Sequence, residues 1–215
     1  MILYANGDSH TYGTLVHPHQ RFSNIVAKEF DHSIINHAIP GASNQRILRT
    51  TLDFLETQTP DFVMIGWTTW EREEWHYQGQ YYDVNSAGHQ LPESLKERYK
   101  NWVVKQNFDT LNKKSISWHD KIYALHKQLK DQGIKHLFFN GFYNFFHIEK
   151  HEEKDWGNNF LGPYDNDSSY YWYLSKQGYE SQDYHFKQDG HVSWAKKLIQ
   201  HIKEENLIND AICKR

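Results

Sequence analysis

The chain has 215 residues and a formal charge of −3, from 24 Lys+Arg against 27 Asp+Glu. That balance leaves no basic footprint for nucleic acid and no polybasic patch for a membrane surface. A single cysteine, Cys213, excludes a disulfide framework and a cysteine-built metal site, and no apolar run approaches the ~18 residues of a spanning helix.

"MILYA" reads as a short buried strand that stops at Asn6-Gly7. Because it begins at Met1, no cleavable leader is expected, and the reading is a cytoplasmic protein of one domain over residues 1–215. Phe22, Ile25, Val26 and Phe30 then fall on one helical face. "SIINHA" is a second apolar run, ended by Pro40-Gly41. Ile47, Leu48, Thr51, Leu52 and Leu55 mark a helix capped by Ser43 or Asn44. It stops before Pro60, and "DFVMIGW" gives a third strand. Trp118, Ile122, Leu125 and Leu129 form another stripe with Gly133 as its stop. "IKHLFF" is a fourth strand, and Val192, Ala195, Leu198, Ile199 and Ile202 line one side of a last helix.

Strands alternating with amphipathic helices imply an α/β fold, with a mostly parallel sheet covered on both faces. Ligands of such sheets bind beyond the carboxyl ends of the strands. "NGDS", "PGASN", "GWTTWERE" and "NGFYN" follow strands one to four in turn, so the polar clusters share one edge. Two segments, 70–114 and 141–182, exceed the ~2–6 residues of ordinary connections in α/β units. They are expected to project over this edge as a lid or pocket wall, the first with its own helix near 92–111. Both are rich in aromatics, in a chain with 8 Trp and 14 Tyr. Trp67 and Trp70 offer flat faces for sugar rings, with packing as the alternative. Arg72 and Asn44 are further candidates for substrate contact, and Arg72 with Glu73 could instead order the segment or face solvent.

Ser9 stands at the end of the first strand, where a hydroxyl becomes a nucleophile only if a base takes its proton and a third group orients that base. "DYHFKQDGHVSWA", running into the last helix, offers Asp183, His185, Asp189 and His191. No Gly-x-Ser-x-Gly elbow occurs. A turn or helix cap accounts for an isolated Gly-Asp-Ser equally well. His17, His19, Asp8 and His10 lack the spacing of a structural zinc site, and no metal is expected.

Gly7-Asp8-Ser9 with Thr11 and Gly13 resembles the first block of the SGNH (GDSL-type) hydrolases. Gly190-His191, five and six residues after His185, is similar to that family's last block. The resemblance implies a three-layer α/β/α sandwich with a sheet of about five strands. It implies Ser9 as nucleophile, His185 as base, Asp183 as its partner and His191 as a second, structural histidine. Asp183 stands two residues before His185 rather than three, with Gln182 in the usual place and Phe186 in place of proline. The N–H groups of Ser9 and Gly41 would bind the oxyanion, and Thr68 stands where the family has asparagine. The implied activity is hydrolysis of a carboxylic ester through an acyl-enzyme on Ser9, without a cofactor. A small-molecule or glycan ester, such as an O-acetyl sugar, is the expected substrate. An impaired carbohydrate-binding or structural protein, or an O-acyltransferase using the same serine, is the alternative.

Overall fold

A computed structural model of the chain describes residues 1–86, 91–145 and 147–208, which leaves Cys213 outside the described residues. The elements run β1 (Ile2–Asn6), α1 (Ser9–Tyr12), α2 (Phe22–Glu29), β2 (Ser33–Asn36), α3 (Asn44–Thr57) and β3 (Phe62–Trp67). The first long segment contributes the hairpin β4 (Glu73–Tyr77) and β5 (Gln80–Val84), then α4 (Lys96–Val104). There follow α5 (Phe108–Asp131), β6 (Lys135–Asn140), β7 (Phe160–Leu161), α6 (Tyr170–Lys176), β8 (Ser181–Gln182), β9 (His185–Phe186) and α7 (Gln188–Glu204).

Five strands form one sheet in the order β2-β1-β3-β6-β7, every pair parallel. Side chains on a strand alternate between faces, and here both faces are apolar. Leu3, Ala5, Phe62, Met64, Leu137 and Phe139 pack with Phe22 and Val26 of α2 and Trp194 and Leu198 of α7. Tyr4, Val63, Ile65, Trp67 and Phe138 pack on the other side with Ile47 of α3 and Ile122 and Leu125 of α5. This is the expected α/β/α sandwich, and the continuous apolar runs of its strands follow from burial on both faces. Ser43 caps α3 by accepting the Arg46 N–H at 3.2 Å, one of the two caps anticipated. The helix anticipated near 92–111 is shorter, residues 96–104, and α5 starts ten residues ahead of Trp118. The fifth strand, two residues long, left no pattern to read.

The first long segment has a small core of its own, built by Trp75, Val84, Leu95 and Trp102. It is tied to the sandwich at α3: Arg49 donates from Nε and Nη2 to the two Glu74 oxygens at 2.9 and 2.6 Å. Asp83 also accepts the Ser43 N–H at 3.3 Å. These ties bring the end of β5 over the carboxyl edge of the sheet.

Candidate active site

The turn after β1 explains the spacing of its motif. Asn6 turns its carbonyl to the Gly7 N–H at 2.8 Å and its amide to α3. Gly7 has φ +156, and a Cβ there would lie 2.3 Å from Thr11 Oγ1. A Cβ on Gly66 would sit 2.7 Å from the same hydroxyl. Two glycines therefore make room for one threonine, and the chain can fold straight from the strand into α1. Asp8 is the cap of that helix and accepts the His10 N–H at 3.0 Å. Ser9 is then its first residue, at the carboxyl edge of the sheet.

Ser9, His10, Gly41, Arg72, Asp83, Asn85, Phe142, Asp183, Tyr184 and His185 line a cavity of about 400 Å3. Gly41, at φ +81, occupies the turn between β2 and α3. The Asn85 amide comes to 3.5 Å from its carbonyl. His185 enters from β9, half-buried. Burial pushes its pKa below the ordinary 6.5, His10 adds to that, and Asp8 with the main-chain carbonyls of Asp183 and Gln182 acts in the opposite sense. Among the described residues, neither Ser9 Oγ nor the Asp183 carboxylate is hydrogen-bonded to this imidazole. The Asp183 side chain is exposed at a hairpin turn. What the residue presents to His185 is its main-chain carbonyl.

Asp8 is the electrostatic centre of the site. Its Oδ2 accepts from the Thr68 hydroxyl at 2.7 Å and from Arg72 Nη1 at 3.0 Å, and its Oδ1 lies 3.3 Å from His10 Nδ1. Burial alone would raise its pKa. His10, Arg72 and the Thr68 hydroxyl together hold it well below the usual carboxylate range. Thr68 is thereby committed to Asp8 and is not a cavity-lining donor, contrary to its expected place in the oxyanion hole. Arg72 Nη1 also donates to the Ala42 carbonyl at 3.3 Å, which brings the guanidinium beside Gly41.

Three other sequence candidates lie elsewhere. Trp67 is 0% exposed, because it shares strand parity with Val63 and Ile65 and follows them into the core. Trp70 is buried and stacks on Phe145 at 4.8 Å. Asn44 is also buried; its amide donates to the Thr68 carbonyl at 3.1 Å and accepts the Thr68 N–H at 2.9 Å. It braces the end of β3. His191 is buried under α2: it accepts the Phe22 N–H at 3.3 Å, and burial pushes its pKa down to about 3. His10 was weighed only as a metal ligand, and Asp83 and Asn85 went unread. His10 had a signal, being next to Ser9, whereas the other two depend on where the hairpin docks.

The five-stranded parallel sandwich carries Ser9 on the turn after β1 and His185 ahead of α7, and this fold is shared with solved esterases. No family model matches the sequence, and no curated protein sequence matches it either. Solved structures do. An acetyl xylan esterase, AlAXEase, aligns over 94% of this chain and 100% of its own with a TM-score of 0.51 at 13% identity. The psychrotrophic esterase EstA from Pseudoalteromonas sp., in a structure inhibited by monoethylphosphonate, aligns over 94% of this chain and 97% of its own. Its TM-score is 0.50 at 13% identity. The protein TesA aligns over 97% of this chain and 100% of its own, with a TM-score of 0.50 at 12% identity. At such identities the likeness is one of fold. Among the described residues, no helix is long and apolar enough to cross a membrane.

Proposed function

We propose that the protein is a serine esterase that cleaves a small acyl group from a polar alcohol through an acyl-enzyme on Ser9. The observation that carries this reading is the convergence of Ser9, Gly41, Arg72 and His185, from four separate segments, on one cavity. Ser9 Oγ attacks the acyl carbon while His185 takes its proton. The oxyanion is met by the N–H groups of Ser9 and Gly41 and by Arg72, which replaces the family's asparagine, absent at Thr68. Collapse breaks the ester bond, and His185 returns the proton to the leaving alkoxide. Water, deprotonated by the same imidazole, then releases the acid and frees Ser9. Donors aimed at the developing charge are commonly the largest single contribution to such a rate.

With Trp67 and Trp70 in the core, support for a sugar alcohol rests on Asp83, Asn85 and Arg72 in the cavity wall. Burial raises the Asp83 pKa, with the Ser43 N–H and Arg46 opposing it. Hydroxyl-rich alcohols suit a wall of this kind, and one fold neighbour is an acetyl xylan esterase. A second reading, a binder that has lost catalysis, draws on the absent Ser9–His185 hydrogen bond. Catalytic hydrogen bonds are often loose in unliganded sites and tighten with substrate, so this observation weighs less.

The test is fluorophosphonate labelling of wild type beside Ser9→Ala, with the adduct located by mass spectrometry, followed by acetate release from acetylated sugars. An adduct on Ser9 that is lost in the variant, with acetate released, supports the esterase. A folded wild type that takes up no label supports the binder.

A further inference from the structure

His10 follows Ser9 directly and has no part in the reaction drawn above. It is 2% exposed, and its ring centroid lies 4.8 Å from those of Phe142 and Tyr170 and 5.6 Å from that of His185. Its Nε2 is 3.1 Å from the main-chain carbonyl of Tyr184. A carbonyl only accepts, so Nε2 carries the proton. On the other side of the ring Nδ1 faces Asp8 Oδ1 at 3.3 Å, and the same oxygen accepts the His10 N–H.

Tyr184 is the second residue of the turn between β8 and β9. Asp183 has φ 49 and Tyr184 φ 64, the left-handed pair that a two-residue hairpin turn of this hand requires. A tyrosine held there is strained and persists only where its surroundings impose it. The strands add little: only Ser181 with Phe186 and Gln182 with His185 are paired. A hairpin this short has no independent stability. Its ring contacts, Tyr184 against Phe142 and Tyr171 at 5.9 and 5.8 Å, are apolar and non-directional. Among the described residues, the side-chain hydrogen bond to the turn comes from His10, across 174 residues of chain.

We infer that His10 is a positioning residue: its Nε2–H, bonded to the Tyr184 carbonyl, holds the Asp183–Tyr184 turn and so fixes where His185 stands relative to Ser9. This rests on the reading of Ser9 and His185 as nucleophile and base. Asp8 Oδ1 accepts the His10 main-chain N–H at 3.0 Å and sets the start of α1, so through His10 the turn bearing the nucleophile and the turn bearing the base form one unit. A base displaced by about 1 Å costs roughly 100-fold in rate, which gives the anchor its consequence.

Two variants and one wild-type measurement test it. His10→Phe keeps a ring among Phe142 and Tyr170 but cannot donate, whereas the amide of His10→Gln reaches toward the same carbonyl. In His10→Phe, amide exchange across residues 181–186 should quicken by about tenfold or more while α7 and the sheet stay protected. Ser9 labelling should slow by roughly 100-fold. His10→Gln should recover most of both. Unchanged exchange in His10→Phe, fast exchange with undiminished labelling, or a His10→Gln no better than His10→Phe would each overturn the anchor. Should neither variant fold, the wild type decides: NMR must show a slowly exchanging proton on His10 Nε2, and a ring protonated only at Nδ1 refutes it. A wild type that takes up no label removes the esterase reading, while exchange in 181–186 still reports on the anchor.

Discussion

Thr68 gives its hydroxyl to Oδ2 of Asp8 at 2.7 Å, although the two residues are 60 apart in the chain. The same oxygen takes Arg72 at 3.0 Å. One carboxylate thus withdraws the threonine from the cavity and holds a guanidinium at its edge. Two substitutions should separate these effects. Thr68→Val keeps the volume and removes a charge-assisted hydrogen bond, for a loss of about 1.5–3 kcal/mol in urea unfolding. Its Ser9 labelling should remain within about a factor of ten of wild type, the level expected of a residue outside the oxyanion hole. Arg72→Lys retains a cation for Asp8 but loses the planar fork. It should keep most of the stability and lower kcat by about 100–1,000-fold, the usual cost of one oxyanion donor. An Arg72→Lys enzyme with undiminished kcat would remove Arg72 from the reaction.

The partner of His185 gives a second prediction. The main chain of Asp183 and Gln182 favours the protonated imidazole, and the Asp183 carboxylate is exposed and away from it. Asp183→Asn keeps a residue tolerant of φ 49 and deletes only the charge. Neutralising the aspartate of a working Ser-His-Asp triad costs about 10,000-fold in kcat. Here ester turnover should stay within about tenfold of wild type, because, among the described residues, the exposed Asp183 carboxylate makes no hydrogen bond to the imidazole. A loss on the triad scale would return the role to the carboxylate.

These particular residues mark how far the sequence could be read. The sandwich was legible because its strands are apolar on both faces and its helices on one, and these patterns are local. Ser9, Gly41 and His185 were legible because each is bound to a turn that glycine or a strand end makes conspicuous. Trp67 carried a signal that composition obscured: its parity with Val63 and Ile65 already directs it inward. Asp83 and Asn85 carried none, since they reach the cavity only through the docking of β4 and β5 on α3 by way of Arg49 and Glu74. Thr68 was misread because a hydroxyl at a strand end gives no sign of which acceptor it will meet. That acceptor lies on another strand's turn.

Ester cleavage should also depend on pH in a stated direction. His185 must be neutral to take the Ser9 proton. Burial, with His10 beside it, sets its pKa below the ordinary 6.5, against the opposing pull of Asp8. The acid limb of kcat/KM should therefore be centred below 6.5, with activity rising through it and level above. Hydrolysis of p-nitrophenyl acetate across the acid range measures this. A limb centred above 6.5 would mean that Asp8 outweighs burial and His10.

Stability should fall with pH for a reason remote from the cavity. His136 Nδ1 faces the Ile134 carbonyl at 3.0 Å, so it carries the proton and leaves Nε2 to accept from His126 Nδ1 at 2.9 Å. Both rings are buried and bonded as neutral species, and a second proton on His136 would set two N–H groups against each other. Burial pushes the pKa of His136 down to about 4, that of His119 down to about 4 and that of His191 down to about 3. Their ordinary value in the unfolded chain is 6.5. In the interval between, the unfolded chain binds more protons, so stability is complete above pH 6.5 and drains away as pH falls toward 4 and then 3. At on the order of 1 kcal/mol per pH unit for each ring, the three together should cost roughly 4–5 kcal/mol between pH 6.5 and pH 5. Urea midpoints measured from neutral pH down to pH 5 should decline steadily. In His136→Leu the protein should be less stable at neutral pH, yet its midpoint should fall less steeply with acid. An equal slope in wild type and variant would show that the pair does not carry the effect.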